Sequence, residues 1–157
     1  MEYFTFYFSS LGPLVLSSDG RSLLSLRFSG SPPEGAQFSP DHPVWKPLFS
    51  WLDLYFSGKD PGSLPLPLAP AGTAFQKQVW TLLLQIPYGQ TTTYGALAKR
   101  LPNPRMSPQA VGGAVGKNPI ALLIPCHRVL GAGNQLTGYA YGIHIKRSLL
   151  LLEQGSF

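Results

Sequence analysis

The segment SGKDPGSLPLPLAPAGTA, residues 57–74, decides how this chain folds, because it separates a strand-like half from a helix-like half. It contains four prolines and three glycines, a composition that favours an extended connection. Residues 1–74 carry four Lys or Arg and six Asp or Glu, a net charge of −2. Residues 75–157 carry eight Lys or Arg and one Glu, a net charge of +7. The sequence therefore predicts two domains, residues 1–70 with a proline-rich linker from about residue 57, and residues 71–157.

The N-terminal half begins with the pattern of a small sheet. Aromatic and apolar residues alternate in three runs, 3–8, 14–16 and 23–28. Asp19-Gly20 lies between the last two runs, and an Asp-Gly pair in that position is typical of a β-hairpin. The sequence therefore predicts an antiparallel meander.

Five helices are predicted from apolar residues at helical spacing and from residues that favour helix ends. Thr93 is a preferred N-cap, Ser107-Pro108 supplies an N-cap and a first-turn proline, and Gly58 is placed to end the first helix. The predicted spans are about 44–56, 75–84, 94–101, 108–116 and 144–153. The third and fourth form a helix-turn-helix pattern. The predicted class is α+β, a small N-terminal α/β domain with an antiparallel sheet joined to a helical C-terminal domain that contains the helix-turn-helix pattern.

Cys126 is the only cysteine of the chain and lies in the segment Pro125-Cys126-His127-Arg128-Val129. It follows the apolar run 120–124, which predicts a buried strand that ends at the cysteine. A thiol reacts as its thiolate, and neighbouring positive charge lowers the thiol pKa, so Cys126 is a candidate nucleophile. The alternative is a buried structural thiol. The adjacent His127 and Arg128 favour the nucleophile, since a structural cysteine needs neither.

Composition excludes several classes of protein. A single cysteine excludes an intramolecular disulfide and suits a reducing compartment, so a cytoplasmic location is expected. His42 and His144 show no ligand-like spacing, and no metal site is expected. Residues 1–10 lack the features of a signal peptide, and the longest apolar runs, of about five residues, are too short to span a membrane. The basic second half points to a polyanionic partner, with a generically basic domain as the alternative.

The segment Ile124-Pro125-Cys126-His127-Arg128-Val129 resembles the active-site signature of the O6-alkylguanine-DNA alkyltransferases, or methylated-DNA–protein-cysteine methyltransferases. The resemblance covers residues 75–155 almost continuously and the first 60 residues more loosely. It takes in Phe75-Gln76-Lys77-Gln78-Val79-Trp80, Ile86-Pro87-Tyr88-Gly89, Thr93-Tyr94, Ala110-Val111-Gly112-Gly113-Ala114, Asn118-Pro119 and Leu136-Thr137-Gly138-Tyr139. It implies a ribonuclease-H-like sheet in the N-terminal domain and a winged helix-turn-helix-like DNA-binding motif in the C-terminal domain. It also implies a cofactor-free repair protein that flips O6-alkylguanine, mainly O6-methylguanine, out of duplex DNA and transfers the alkyl group irreversibly to its own cysteine.

The resemblance implies roles for five catalytic residues. Cys126 is the nucleophile, His127 is its base acting through a water molecule, and Glu153 orients the imidazole, with the same logic as other triads. Tyr94 is implied to donate a proton to the departing guanine, and Asn118 to brace neighbouring backbone turns. Glu153 is also the sole acid after residue 74, although a solvated carboxylate at a helix end is the alternative. Because the product is a thioether, each molecule is implied to react once.

Contacts with DNA are expected around the fourth predicted helix, residues 108–116. It is rich in small residues and carries few side chains that could reach base edges, which favours binding with little sequence preference. Tight helix packing is the alternative reason for its glycines. Basic residues nearby can bind phosphates, and the resemblance places Tyr139 over the extruded base and the backbone at Ala140 against the O6 oxygen. The expected DNA-binding or base-binding residues are Arg105, Gln109, Ala110, Gly112, Gly113, Lys117, Arg128, Tyr139, Ala140 and Tyr141.

Two positions depart from the family pattern. Gln109 stands where members typically insert an arginine in place of the flipped base, so weaker DNA binding or slower flipping is expected. Tyr141 stands where many relatives carry a glycine, so the alkyl pocket is expected to be narrower. Methyl lesions should then be repaired well and benzyl-type pseudosubstrates poorly.

Three other functions stay open from the sequence. A DNA-damage sensor would resemble the alkyltransferase-like proteins, which typically lack the cysteine that is present here as Cys126. A helix-turn-helix regulator in which Cys126 senses alkylation or oxidation would prefer particular DNA sequences, and a cysteine hydrolase would turn over. The expected partner is duplex DNA carrying O6-alkylguanine, and the expected state is a monomer that does not contact membranes, with cooperative binding to DNA left open.

Overall fold

The computed structural model describes residues 1–103 and 105–155. The chain forms two compact units, one of Met1–Ala71 with Pro119–Ala121 and one of Gly72–Asn118 with Leu122 onward. In the described part of the chain, the first unit holds a four-stranded sheet and one α-helix, and the second holds four α-helices and a two-stranded sheet. The fold is therefore of the predicted α+β class. No helix formed by the described residues is long and apolar enough to cross a membrane.

The sheet of the first unit contains the predicted antiparallel meander and one further strand. The strands are β1 (Tyr3–Ser9), β2 (Gly12–Ser18), β3 (Leu23–Phe28) and β4 (Gln37–Phe38), in the order β3-β2-β1-β4. The Asp19 carboxylate accepts hydrogen bonds from the N–H groups of Arg21 and Ser22, at 2.9 and 2.7 Å, which closes the predicted turn between β2 and β3. β4 pairs with β1 in parallel. The sequence did not predict β4, because two exposed residues are too few to show an alternation.

The helix of the first unit, α1 (Trp45–Phe56), begins within one residue of the prediction and ends at the predicted residue. Apolar residues at helical spacing place a continuous face inside the unit. The buried residues are Trp45, Leu48, Trp51, Leu52 and Tyr55. Gly58 adopts a φ of +85° just after the helix, a conformation that favours glycine and ends the helix where the sequence predicts.

The proline-rich segment is extended, as predicted, and it is also anchored to the first unit. The N–H of Leu23 donates to the carbonyl of Pro67 at 2.8 Å, and the carbonyl of Leu23 accepts from the N–H of Ala69 at 2.9 Å. The side chain of Leu66 is buried. Leucine alternates with proline over residues 64–68, which suits an extended segment at a sheet edge, because each proline lacks an N–H that would need a partner.

The helices of the second unit lie close to their predicted spans. They are α2 (Ala74–Leu83), α3 (Tyr94–Lys99), α4 (Pro108–Gly116) and α5 (Ile143–Gln154). The hydroxyls of Thr73, Thr93 and Ser107 cap α2, α3 and α4, each accepting a hydrogen bond of 3.1 Å from the N–H three residues later. α3 and α4 occupy the predicted helix-turn-helix positions, and Pro104 of their connection lies outside the described residues.

The apolar run before Cys126 is buried but is not a strand, which corrects the sequence prediction. Ile120 makes a single parallel bridge with Leu26 of β3. The chain then turns, with Leu122 at a φ of +71°, and Cys126–Arg128 form one turn of 3-10 helix. The sequence pattern could not separate the two outcomes, because a short run of apolar residues fits a buried turn as well as a buried strand.

A short parallel pairing places this 3-10 turn beside the start of α3. The strands are β5 (Thr92–Thr93) and β6 (Val129–Leu130), with Thr93 opposite Leu130. β5 leads directly into Tyr94, and β6 follows directly after Arg128. Cys126 and Tyr94, which are 32 positions apart in the sequence, therefore lie near each other in the second unit.

Candidate active site

A pocket of about 280 Å³ opens over Cys126 in the second unit. Its walls come from α3, α4, the turn after α4 and the segment before α5. The lining residues are Tyr94, Gly112, Val115, Gly116, Asn118, Cys126, Gly138, Tyr139, Ala140 and Tyr141. Most of them belong to the set predicted from the sequence, and the fold brings them together from four separate stretches of the chain.

Cys126 is the first residue of the 3-10 turn and is 6% exposed. Its N–H donates to the carbonyl of Ile124 at 2.7 Å. Burial raises the pKa of the Cys126 thiol, while hydrogen bonds with Asn118 and Tyr139 and the positive charge of Lys146 act in the opposite direction. Because burial dominates, formation of the thiolate requires a base that takes the proton.

His127, which follows Cys126 in the chain, forms a buried pair with Glu153 of α5. Nε2 of His127 lies 2.5 Å from Oε2 of Glu153, and the two side chains are 0% and 1% exposed. Burial lowers the pKa of His127 even though the bond to Glu153 raises it. Burial opposes ionisation of Glu153, but hydrogen bonds and charges from His127 and Arg128 lower its pKa to about 2. A neutral imidazole that donates from Nε2 to a carboxylate keeps its lone pair on Nδ1 and can accept a proton there.

Arg128 lies in a different place from the one that the sequence predicts. Its Nε donates to Oε1 of Glu153 at 2.8 Å, and its Nη1 donates to the carbonyl of Ile86 at 2.8 Å. The residue is only 7% exposed, and its guanidinium carbon lies 5.8 Å from the ring centroid of Tyr88. The expected phosphate contact is therefore corrected: a buried guanidinium bonded in this way orients the carboxylate and neutralises its charge.

The turn at Gly89 holds the same carboxylate, a contact that the sequence did not predict. The N–H of Gly89 donates to Oε1 of Glu153 at 3.1 Å, and Nε2 of Gln154 donates to the carbonyl of Gly89 at 3.2 Å. Gly89 has a φ of +79°, which favours glycine. The sequence shows the turn, but the contact joins residues 64 positions apart, and no local pattern indicates it.

Tyr94 and Asn118 both line the pocket that contains Cys126. Burial raises the pKa of Tyr94, so its hydroxyl is protonated at neutral pH and can donate a proton. Nδ2 of Asn118 donates to the carbonyl of Ile124 at 2.8 Å, and Asn118 is 8% exposed. This bond joins the turn after α4 to the backbone that carries the cysteine.

Five of the ten residues expected to contact DNA or the base are exposed on or beside α4. The exposed residues are Arg105, Gln109, Ala110, Gly113 and Lys117. Gly112 is half-buried and faces the pocket, where an added Cβ would lie 3.7 Å from Cδ1 of Tyr94. An added Cβ at Gly113 or Gly116 would meet no atom within 4 Å. Tight packing inside the described chain therefore does not account for the last two glycines.

The segment before α5 places two aromatic rings on one wall of the pocket. The ring centroids of Tyr139 and Tyr141 lie 5.4 Å apart, with planes at 72°. Both residues are half-buried, and Ala140 between them is exposed. Tyr141 thus occupies pocket volume that a glycine at this position would leave open.

Lys146 is a site residue that the sequence analysis missed. It is fully buried on α5, and its charge acts on Cys126. A signal was present, because Lys146, Leu149, Leu150 and Glu153 follow the spacing of one helix face. Among residues 1–103 and 105–155, no group of three or more His, Cys, Asp or Glu side chains could hold a metal ion.

Both parts of the chain match family models. Residues 2–70 match the ribonuclease-like domain of 6-O-methylguanine DNA methyltransferase, and residues 74–155 match its DNA binding domain. A methylated-DNA–protein-cysteine methyltransferase of Haemophilus influenzae is 44% identical over 161 residues and covers 97% of this chain and 86% of its own length. One from Methanosarcina acetivorans is 42% identical over 154 residues, and the match covers 96% of this chain and 97% of the relative.

Solved structures resemble the chain over nearly its full length. The crystal structure of Mycobacterium tuberculosis OGT in complex with DNA has a TM-score of 0.89 and 39% identity, and the match covers 98% of this chain and 93% of that one. The crystal structure of Mycobacterium tuberculosis O6-methylguanine methyltransferase has a TM-score of 0.88 and 38% identity, and the match covers 100% of this chain and 95% of that one.

Proposed function

The chain belongs to the 6-O-methylguanine DNA methyltransferase family, and on that premise we propose that it repairs DNA by transferring the alkyl group of O6-alkylguanine to the sulfur of Cys126. It is thus a methylated-DNA–protein-cysteine methyltransferase, and each molecule is used up in a single reaction. The observation that carries the proposal is the pocket over the only thiol of the chain, next to a buried imidazole–carboxylate pair.

The first step is formation of the thiolate. His127 accepts the thiol proton, by the water-mediated route that the resemblance implies, and the ionised Glu153 stabilises the imidazolium that forms. Arg128 and the N–H of Gly89 hold Oε1 of Glu153, which leaves Oε2 directed at His127. The three contacts fix the carboxylate, so the imidazole is oriented before the substrate arrives.

The second step is displacement at the alkyl carbon. A bond forms between the sulfur of Cys126 and that carbon, and the bond from the carbon to O6 of guanine breaks with its electron pair going to guanine. Tyr94 protonates the departing guanine, a role that suits a phenol kept protonated by burial. The thioether product does not revert, so the protein reacts once per molecule.

The partner is DNA, which the DNA binding domain of the family implies. We propose that α4 lies against the duplex, with Arg105 and Lys117 binding phosphates and with Ala110, Gly112 and Gly113 allowing a close approach. With few base-reading side chains on α4, binding shows little sequence preference. Gln109, exposed in the first turn of α4, fills the space that the flipped nucleotide leaves.

The flipped base enters the pocket over Cys126. Tyr139 packs on the base, the backbone N–H groups around Ala140 face the O6 oxygen, and Tyr141 limits the size of the alkyl group. Asn118 holds the backbone of Ile124 and thereby the position of the cysteine. Each of these roles follows from the family resemblance and from the place of the residue in the pocket wall.

The remaining proposals concern the whole protein. Residues 71–157 carry the alkyl transfer and DNA binding, and residues 1–70 form a domain without chemistry of its own. The protein acts as a monomer in a reducing, cytoplasmic environment, which suits a protein whose one cysteine must stay a free thiol.

The test is intact mass spectrometry after incubation with excess duplex DNA that carries one O6-methylguanine. We expect a gain of one methyl group that stops at one equivalent, with peptide mapping placing it on Cys126. Cys126→Ala should gain nothing and should still bind the DNA, which separates loss of chemistry from loss of binding.

Two other outcomes would contradict the proposal. Lesion-selective binding by the wild type without any mass gain would indicate a damage sensor. Release of more than one equivalent of product per protein molecule would indicate a turning-over enzyme.

A further inference from the structure

Lys146 is a charged residue in the interior of the second unit, and the proposed reaction gives it no role. It is 0% exposed, and it lies on the buried face of α5 with Leu149 and Leu150. Burying a lysine is unfavourable unless its ammonium group finds partners. The partners of this ammonium are therefore informative.

The ammonium group of Lys146 binds the backbone that forms one wall of the pocket. Nζ donates to the carbonyl of Thr137 at 3.0 Å and to the carbonyl of Gly138 at 3.3 Å. Gly138 is itself a lining residue and leads into Tyr139. The ring centroid of Tyr94, another lining residue, lies 5.9 Å from Nζ. Lys146 therefore connects α5 with two of the chain segments that line the pocket.

Its charge acts on the two groups that exchange the first proton. Burial lowers the pKa of Lys146 to about 8, against the attraction of the Cys126 sulfur, so the side chain is mostly protonated at pH 7. The positive charge favours the thiolate of Cys126 and disfavours the imidazolium of His127. Arg128, the other buried cation nearby, is paired with Glu153. On α5 itself, His144 and Arg147 are exposed.

We propose that Lys146 is a positioning residue for alkyl transfer, whose buried charge favours the thiolate of Cys126 and whose two hydrogen bonds hold the backbone of Thr137 and Gly138 against the pocket. The inference rests on the proposed alkyl transfer and deepens it. Two hydrogen-bond networks then have separate roles. Glu153 and Arg128 orient the base His127, whereas Lys146 acts on the nucleophile Cys126 and on the backbone of the pocket wall at Gly138.

Three variants separate the charge from the hydrogen bonds. Lys146→Met removes both, Lys146→Gln keeps a hydrogen-bond donor without the charge, and Lys146→Arg keeps the charge and the donors. Arg147→Met, which removes an exposed charge from the same helix, is the matched control. The folded state of each variant is checked by its thermal unfolding midpoint.

The first readout needs neither DNA nor an alkylated base. The rate of carbamidomethylation of Cys126 by iodoacetamide is followed by intact mass over a range of pH, and the single cysteine makes the signal unambiguous. In the Met and Gln variants we expect labelling at pH 7, where Lys146 is mostly protonated, to be about tenfold slower than in the wild type, the effect of about one unit in the thiol pKa. The difference should shrink as the pH rises above 8, because Lys146 then loses its charge. The Arg variant and Arg147→Met should be labelled at the wild-type rate at pH 7.

The second readout is the rate of single-turnover methyl transfer from DNA carrying O6-methylguanine. We expect at least the same tenfold loss in the Met variant, a smaller loss in the Gln variant and recovery in the Arg variant. Folded Met and Gln variants that are labelled at the wild-type rate at pH 7 would overturn the inference. If the Met variant does not fold, the Gln variant, which retains a donor, decides the outcome.

The two readouts also separate this inference from the proposed function. Methyl transfer by the wild type together with an unchanged thiol labelling rate at pH 7 in the Gln variant would refute the role of Lys146 and leave the function standing. Slower thiol labelling at pH 7 in the Gln variant with no methyl transfer by the wild type would refute the function and leave the effect of Lys146 on Cys126 standing.

Discussion

At the scale of single residues, Glu153 is bonded by His127, Arg128 and the N–H of Gly89, and this gives the stability of the protein a specific dependence on acid. Burial alone would raise its pKa, but His127 and Arg128 lower it from 4.5 to about 2. Because the pKa in the folded state lies below that in the unfolded chain, the contribution to stability is present above pH 4.5 and is lost as the pH falls toward 2. A shift of this size corresponds to about 3 kcal/mol of unfolding free energy.

The variant Glu153→Gln tests this contribution. We expect it to be less stable than the wild type at pH 7, since Arg128 loses its charged partner, and to show a flatter loss of stability between pH 4.5 and 2. Urea unfolding at several pH values measures both effects. Glu34→Gln, at an exposed position of the first unit, should follow the wild-type profile. Parallel profiles for wild type and Glu153→Gln would show that the carboxylate is not strongly bonded in the folded state.

Tyr141 leads to a prediction about substrate size. Its ring stands beside that of Tyr139 on the pocket wall, so a large alkyl group meets a side chain where a glycine would leave room. We expect the wild type to react with O6-methylguanine in DNA and only slowly with free O6-benzylguanine. Tyr141→Gly should raise the rate of reaction with benzylguanine by about tenfold or more. Small changes in pocket volume typically change the activation free energy by roughly 1–3 kcal/mol, which corresponds to a rate change of this size.

The methyl substrate provides the internal control for Tyr141→Gly. Its rate should change much less than the benzylguanine rate, because a methyl group does not reach the wall. Efficient benzylguanine labelling of the wild type would contradict the prediction.

Gln109 leads to a prediction about DNA. Glutamine at an exposed position of the first turn of α4 can replace the flipped nucleotide, but it adds no positive charge. We expect Gln109→Arg to bind duplex DNA more tightly and to repair it faster, by a factor of about ten or less, in fluorescence anisotropy and single-turnover assays. Gln78→Arg on the exposed surface of α2 adds the same charge elsewhere. Equal effects from both variants would show that position 109 has no special place in the complex.

At the scale of the elements, α4 contains glycines that its own packing does not require. An added Cβ at Gly113 would meet no described atom within 4 Å, and the position is exposed. Gly113→Ala should therefore stabilise the free protein by roughly 0.5–1 kcal/mol, because alanine is the better helix former. If the backbone of α4 lies close to DNA, the same change should weaken DNA binding.

Thermal unfolding and DNA titration of Gly113→Ala give the two halves of this prediction, and Gly95→Ala in α3 is a matched control. Gly95 also has open space around an added Cβ but lies outside the proposed contact. Tighter or unchanged DNA binding by Gly113→Ala would mean that α4 does not approach the duplex closely at this point.

The elements also show how far local sequence patterns reach. The starts of α3 and α4 were predictable, because a cap is a bond between residues three positions apart. The 3-10 turn at Cys126 was not, because a short apolar run fits a buried turn as well as a strand. The contact of Gly89 with Glu153 was not, because it joins residues that are distant in the sequence. Arg128 was misplaced for the same reason. Its positive charge suggested a contact with phosphate. Only the fold shows that the guanidinium instead bonds a carboxylate 25 positions away.

At the scale of the whole molecule, the division of charge between the two halves predicts how DNA binding responds to salt. Residues 75–157 carry a net charge of +7 and residues 1–74 a net charge of −2, so the attraction to phosphates resides in the second half. Neutralised phosphates release counterions, and the logarithm of the affinity falls by about 0.9 per contact for each decade of salt. We expect Arg105→Met and Lys117→Met each to reduce the slope by about 1 and to weaken binding equally on unrelated sequences.

Lys46→Met supplies the control for this prediction. Lys46 is exposed on α1 in the acidic half, so its removal should leave the salt slope unchanged although the net charge falls by the same amount. Fluorescence anisotropy between 50 and 200 mM salt, with two duplexes of unrelated sequence, measures all four proteins. A slope that falls equally in Lys46→Met would mean that net charge alone governs binding. A loss confined to one duplex would mean that the protein distinguishes sequence, which the small side chains of α4 argue against.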